Sequence, residues 1–131
     1  MKLRFPPLIP IFHHHANVQG GGFLADHRTQ KPTRDPIPLE ASAQEPNVKW
    51  SLSMARTSMP DTATSQFFIN LENNTQLDPV GPGTGYTVFA HLVDGHATIE
   101  AMTKVPEGRS FGRAGGYYPA EPIVILRAYR A

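Results

Sequence analysis

Alternating and clustered apolar residues predict short β-strands separated by long loops. In residues 50–55 apolar and polar side chains alternate, which is typical of a half-buried strand. Residues 66–70 and 86–93 are rich in aromatic and β-branched side chains, and they predict two further strands. The apolar run within residues 122–129 predicts a strand that closes the chain.

One helix and several loops complete this pattern. Residues 97–105 place Ile99, Met102 and Val105 at helical spacing, and Pro106 would end that helix. The proline-rich residues 24–47 predict a long surface loop, and the glycine-rich residues 107–119 predict another. Strands joined by long loops, with one short helix, favour a mainly antiparallel β-barrel or sandwich.

Composition indicates a single globular domain covering residues 1–131. Hydrophobic residues make up 40% of the chain, which is an ordinary share for a domain with its own core. The net charge of +1 leaves no basic stripe for a phosphate backbone, so nucleic acid is not an expected partner. No apolar run is long enough for a membrane span or a signal sequence. The lack of cysteine excludes disulfides and thiolate chemistry.

The run His13-His14-His15 is the one feature that suggests a metal. Consecutive side chains on an extended chain point alternately to opposite faces, so only two of the three histidines could converge. A metal site also needs further ligands at fixed geometry. We therefore interpret the run as a solvated tract and predict neither a metal nor another cofactor.

Four motifs occur in an order that points to a known family. They are Val18-Gln19-Gly20-Gly21-Gly22-Phe23, then Ser53-Met54-Ala55-Arg56-Thr57 with Thr64-Ser65-Gln66-Phe67-Phe68-Ile69-Asn70, then Gly85-Tyr86-Thr87-Val88-Phe89-Ala90 with Val93-Asp94-Gly95, and finally Pro122-Ile123-Val124-Ile125-Leu126. Together they resemble the cyclophilin-type peptidyl-prolyl cis–trans isomerases over residues 18–130. The Met-Ala-Arg-Thr form and the loop 31–40 are most similar to bacterial members.

The resemblance implies a mainly β fold, an antiparallel cyclophilin-like β-barrel with a short capping helix. The family's first two strands and first helix have no counterpart here, because only 19 residues precede the triple glycine. Residues 1–17 diverge from the family. We therefore expect an N-terminally truncated domain. The absence of a signal peptide favours the cytoplasm, and the periplasm stays open because a signal would lie in the missing part.

The resemblance also implies a set of site residues. Gln19 and Phe68 would be catalytic, with Gln19 holding substrate and orienting the family's arginine. Phe67 and Phe68 point to opposite faces of a strand, and the family register places Phe68 in the proline pocket. The implied substrate-binding set is Phe12, Gln19, Ala55, Arg56, Gln66, Phe68, Leu77 and Tyr86, with Ala55 and Arg56 offering backbone groups.

The arginine that stabilises the twisted amide in the family has no counterpart. One register places Pro7 at its position, an ungapped count back from Gln19 places Ile11 there, and a third register places His14 there. Only His14 could donate a hydrogen bond. The position before Leu77, usually aromatic in the family, is Gln76.

Three functional hypotheses follow. The first is a peptidyl-prolyl isomerase of weakened activity that acts on Xaa-Pro bonds. Such an enzyme would assist protein folding and so have a chaperone role. The second is a domain that binds proline-containing peptides without turnover, and the third is a non-functional truncated product. The resemblance implies proline-containing peptides and unfolded proteins as partners, with weak binding of cyclosporin-type ligands. Neither nucleic acid nor a membrane is expected.

Overall fold

The computed structural model describes residues 12–14, 16–24, 26, 29–111 and 116–128. They form seven strands, one α-helix and one short 3-10 helix. The strands are β1 (Phe12–His14), β2 (Asn17–Gly20), β3 (Ser51–Met54), β4 (Phe67–Asn70), β5 (Val88–His91), β6 (Glu107–Phe111) and β7 (Gly116–Pro119). The α-helix α1 spans His96–Met102, and the 3-10 helix spans Thr75–Leu77.

All seven strands belong to one antiparallel sheet with the order β5-β3-β4-β2-β1-β7-β6. The strand β2 lies at its centre and pairs with β4 over four residue pairs. The sheet is not closed, since β5 and β6 form its two edges within the described residues. The prediction of a mainly β, antiparallel fold with one short helix is confirmed.

Most of the predicted elements are present with shorter bounds. The strands predicted over 50–55, 66–70 and 86–93 are β3, β4 and β5. The helix predicted over 97–105 begins one residue earlier, at His96, and ends at Met102. The predicted loop 24–47 contains only isolated bridges in its described part, Phe23 with Gln30 and Ile37 with Ala63.

Two predictions near the C-terminus are wrong. Residues 107–119, predicted as a loop, contain β6 and β7, which pair as a hairpin while β7 also pairs with β1. Residues 122–128, predicted as a strand, have only a single bridge residue at Ile125. An apolar run does not by itself specify a strand, and here residues 123–125 are half-buried while Leu126 is 86% exposed. Ile123 accordingly packs against the core without joining the sheet.

The central strands carry different side chains on their two faces. Val18, Leu52 and Ile69 are register partners and lie on one face, which we call the apolar face. The helix α1 packs on this face, where Ile99 forms a buried cluster with Val18 and Ile69. The opposite face, which we call the polar face, carries Gln19, Ser51, Ser53, Phe68 and Asn70, since neighbours along a strand alternate.

Candidate functional site

The triple glycine lets two chain segments approach closely at one edge of the polar face. Gly21 has φ 88°, and a Cβ there would lie 2.3 Å from the backbone oxygen of Ser65. A Cβ on Gly22 would lie 2.6 Å from Cδ of Gln66. The hydroxyl of Ser65 donates to the oxygen of Gly21 at 2.8 Å. Glycine is therefore required for the chain before β4 to lie against the end of β2.

This approach brings together two glutamines that lie 47 residues apart in sequence. Nε2 of Gln19 donates to Oε1 of Gln66 at 2.9 Å. Both side chains line an open cleft of about 270 Å³, together with Ala55, Arg56, Thr57, Thr62 and Thr64. Four of the residues implied by the resemblance, Gln19, Ala55, Arg56 and Gln66, thus share one cleft. The three threonines were not predicted as site residues, although Thr57 and Thr64 belong to the quoted motifs.

The side chain of Arg56 joins the two loops beside this cleft. Its Nε and Nη2 donate to the backbone oxygen of Gly85 at 3.0 and 2.8 Å. Its Nη1 donates to the oxygens of Thr57 and Ser58 at 3.0 and 3.3 Å. The guanidinium also lies over the ring of Tyr86, 4.8 Å from its centroid. The resemblance implied that Arg56 offers only backbone groups to a peptide. Its side chain, however, bonds to the loop that carries Tyr86.

Phe68 lies next to this arrangement and is buried. Its ring meets Tyr86 edge to face, with centroids 5.7 Å apart, and only 4% of the residue is exposed. Phe67 points the other way, packs against the apolar cluster and meets Phe89 at 6.5 Å. Phe68 is therefore on the polar face with Tyr86, behind the residues that line the open cleft.

Leu77 is tied to Tyr86 through the backbone, since the amide of Tyr86 donates to the oxygen of Leu77 at 3.0 Å. Gln76, in the position where the family usually has an aromatic residue, donates from Nε2 to Oδ1 of Asn74 at 3.0 Å. The backbone of Phe12 pairs with Gln19 in the sheet, while its side chain lies outside the described structure. Pro7, Ile11 and the side chain of His14 also lie outside it.

Behind the cleft, the polar face contains a buried network of amide and hydroxyl groups. Asn47, Ser51, Ser53, Asn70 and Asn74 are each at most 1% exposed. Ser53 donates to Asn47 at 2.6 Å, and Asn70 donates to the hydroxyl of Ser51 at 2.8 Å. Buried polar groups are costly unless they are paired. These pairs therefore allow polar side chains to be buried beside Phe68. The sequence around Asn47 gave no indication that its side chain would belong to this network.

Among the described residues, no group of three or more histidine, aspartate or glutamate side chains could hold a metal ion. Neither helix in that part of the chain has the length and apolar character of a membrane span. Partial burial lowers the pKa of the Lys31 amine below its ordinary value, because desolvation disfavours the charged form.

A family model and several known proteins match this chain. The family model described as "Cyclophilin type peptidyl-prolyl cis-trans isomerase/CLD" matches residues 11–130. The chain belongs to the cyclophilin family. The match covers all of the residues that line the cleft, together with Phe68, Leu77 and Tyr86.

Several bacterial cyclophilins are similar in sequence. "Peptidyl-prolyl cis-trans isomerase B" of Escherichia coli is 43% identical over 106 residues, which cover 76% of this chain and 64% of the relative. A "Peptidyl-prolyl cis-trans isomerase" of Acinetobacter baylyi is 38% identical over 122 residues, covering 93% of this chain and 61% of the relative. The chain thus spans about three fifths of the length of these curated relatives.

Solved cyclophilin structures share the fold. A cyclophilin-type isomerase of Cryptosporidium parvum, crystallised in the presence of the dipeptide Ala-Pro, superposes with a TM-score of 0.70. The superposition covers 95% of this chain and 73% of that protein, at 22% sequence identity. The cyclophilin fold is therefore retained at low sequence identity, although the present sheet is open.

Proposed function

We propose that this chain binds Xaa-Pro segments of peptides and unfolded proteins and isomerises the Xaa-Pro bond, at a rate reduced by the lack of the family's arginine. The observation that carries the proposal is the meeting of Gln19 and Gln66 at one cleft, beside the Phe68–Tyr86 pair. These residues come from separate parts of the sequence, and the resemblance implied each of them as a site residue.

The reaction needs neither a nucleophile nor a metal. Rotation about a peptide bond costs about 18–20 kcal/mol because amide resonance must be broken. At Xaa-Pro bonds the uncatalysed reaction takes on the order of tens to hundreds of seconds. A site can accelerate it by holding the proline ring, gripping the flanking backbone and donating a hydrogen bond to the twisted amide.

The described residues offer the first two of these contributions. The aromatic pair of Phe68 and Tyr86 would make the apolar contact with the proline ring, for which Phe68 must become more accessible than its 4% exposure. The paired amides of Gln19 and Gln66 have the donors and acceptors that a peptide backbone requires. Binding of proline-containing peptides is therefore expected to be retained better than turnover.

The third contribution is the hydrogen-bond donor that the family's arginine provides. Removing one preorganised donor typically costs about 3–4 kcal/mol, which is roughly a hundredfold to a thousandfold in rate. This loss acts mainly on the twisted state, so the rate constant should fall while peptide affinity changes less. An apolar environment still favours the less polar twisted amide, which leaves some catalysis.

The test is an NMR exchange measurement on an Ala-Pro peptide that uses no coupled protease, after near-UV circular dichroism has established folding. The expected result is measurable exchange that rises when arginine is introduced in separate variants, Pro7→Arg, Ile11→Arg or His14→Arg. If His14 is the donor instead, His14→Ala should reduce exchange further. Turnover by the unmodified chain as fast as that of an arginine-containing relative would contradict the proposed mechanism.

A second candidate is a binding module without turnover, favoured by the absence of an arginine in every register of residues 5–16. Titration with the same peptide separates the two functions. Saturable binding without exchange supports the module, whereas neither binding nor exchange in a folded sample rejects both. Weak binding of cyclosporin-type ligands would appear as competition with the peptide.

A further inference from the structure

The side chain of Asn47 is a buried amide located between the sheet and the loop of residues 77–86. That loop carries the Tyr86 ring, which we call the rim. Asn47 precedes β3 and is 1% exposed. Its Nδ2 donates to the backbone oxygen of Leu77 at 3.1 Å and to Oδ1 of Asp78 at 3.0 Å. The backbone oxygen of Tyr86 lies 3.4 Å from the same nitrogen. One amide group therefore reaches both ends of residues 77–86.

The other end of this amide bonds to the sheet. Its Oδ1 accepts from the hydroxyl of Ser53 at 2.6 Å and lies 3.4 Å from Nδ2 of Asn70. Ser53 is on β3 and Asn70 is on β4, and both are fully buried. The backbone N–H of Asn47 adds a further bond to Oδ1 of Asp78 at 2.6 Å. Asn47 thus connects two strands to the segment that carries the rim.

The position of Tyr86 depends on where this segment lies. Its backbone amide donates to Leu77, and its ring meets Phe68 on one side and the Arg56 guanidinium on another. A shift of the backbone at Leu77 or Tyr86 would therefore change the spacing between the two aromatic rings.

We propose that Asn47 is a positioning residue for the peptide site, whose buried amide holds Leu77 and Tyr86 so that the Tyr86 ring stays against Phe68. The consequence for peptide affinity rests on the function proposed above, whereas the effect on Tyr86 does not. Only an amide suits this place. A carboxylate would lack the donors for the two backbone oxygens and would face Asp78, and alanine would leave buried groups unpaired.

The test compares Asn47→Ala with a matched control, Asn74→Ala. Asn74 is equally buried and belongs to the same network, but its amide donates to the oxygen of Ala16 and to Oδ1 of Asn70. Both variants are labelled with fluorotyrosine, and the Tyr86 signal is assigned by its loss in Tyr86→Phe. Affinity for an Ala-Pro peptide is measured on the same folded samples.

We expect both substitutions to lower the denaturation midpoint. Only Asn47→Ala should shift or broaden the Tyr86 signal. It should also weaken peptide binding by about tenfold, which is the effect of losing about one hydrogen bond. Asn74→Ala should leave affinity within about twofold. An unchanged Tyr86 signal in folded Asn47→Ala protein would overturn the proposal and leave Asn47 a purely structural role.

A second pair of variants covers the case in which Asn47→Ala does not fold. Asn47→Asp keeps the acceptor for Ser53, and adding Asp78→Asn restores a donor–acceptor pair between positions 47 and 78. The double variant should regain stability but not the Tyr86 signal, because position 47 still lacks a donor for Leu77 and Tyr86. Full recovery of that signal would contradict the proposal. Failure of the unmodified chain to bind peptide would reject the proposed function, while the Tyr86 signal would still decide this inference.

Discussion

The two faces of the sheet are held by different kinds of interaction. On the apolar face Val18, Ile69 and Ile99 form a cluster that excludes water, and no atom in it requires a particular partner. On the polar face Asn47 and Asn70 are just as buried, but each is held by hydrogen bonds of defined direction. Apolar burial scales with area and is non-directional, whereas hydrogen bonds require donors and acceptors at fixed geometry.

This difference indicates a division of roles between the faces. The apolar face can supply most of the free energy of folding, since burial of large side chains dominates that term. The polar face contributes less net stability per group, yet its hydrogen bonds reach Leu77 and Tyr86 through Asn47. Substitutions on the first face should therefore affect stability, whereas substitution of a polar-face group that contacts peptide or holds Leu77 and Tyr86 should also affect peptide binding.

The largest expected effect is the loss of apolar packing in Ile69→Ala. Ile69 is 8% exposed and lies in the centre of the cluster. The truncation should lower the free energy of unfolding by about 2–5 kcal/mol, through lost burial and the cavity left behind. Urea denaturation measures this, with Val93→Ala as the control because Val93 is 93% exposed. Similar losses in the two variants would contradict the assignment of the core.

Gly21→Ala should have the next largest effect. Its φ of 88° disfavours a side chain, and the added Cβ would lie 2.3 Å from the oxygen of Ser65. We expect a loss of about 2–3 kcal/mol in unfolding free energy, because strain and a backbone clash combine. Gly81→Ala is the matched control, since a Cβ there meets nothing within 4 Å. A neutral Gly21→Ala would show that the two segments do not approach as described.

The pair Phe68→Ala and Phe67→Ala separates the two faces most directly. These neighbours point to opposite sides of β4. In folded protein, Phe68→Ala should weaken binding of an Ala-Pro peptide by about 1–3 kcal/mol, since an aromatic contact is lost. Phe67→Ala should reduce stability and leave affinity unchanged. Isothermal titration measures the peptide affinity of the two alanine variants at a temperature where both are folded. If either variant fails to fold, Phe68→Leu and Phe67→Leu are compared instead.

If Phe68→Ala binds peptide like the unmodified chain, the assignment of Phe68 to the proline site is wrong. If Phe67→Ala alone loses affinity, the site lies on the opposite face of the sheet.

The smallest effect is expected from Arg56→Lys. Lysine keeps the charge but cannot reproduce the two bonds to the oxygen of Gly85 or the planar contact with Tyr86. Peptide affinity should fall by about 1 kcal/mol, with little change in the denaturation midpoint. Arg34→Lys, in an exposed loop, is the control and should change neither quantity. Equal affinities for the two variants would show that the Arg56 side chain does not hold the rim.

Much of the fold could be predicted from local sequence. The alternation in residues 50–55 and the bulky residues 66–70 predicted β3 and β4, because a strand with one buried face needs that pattern. The hairpin of β6 and β7 was missed because its glycines indicate a loop, and the pairing of β7 with the distant strand β1 has no local sequence signal. The apolar run after Pro122 was misinterpreted because an apolar run does not specify strand pairing, and here residues 123–125 are half-buried while Leu126 is 86% exposed.

By itself the sequence determined the family, and its short motifs suggested Gln19, Gln66, Phe68 and Tyr86 as site residues. The tertiary structure alone decided which of them meet: Gln19 with Gln66 in the cleft, and Phe68 with Tyr86 behind it. It also decided that the Arg56 side chain bonds to the loop that carries Tyr86 and that a buried amide at Asn47 joins the strands to that loop. The physical reason is that hydrogen bonds and ring contacts between residues distant in sequence depend on sheet register and loop path, and no local pattern of side chains specifies these.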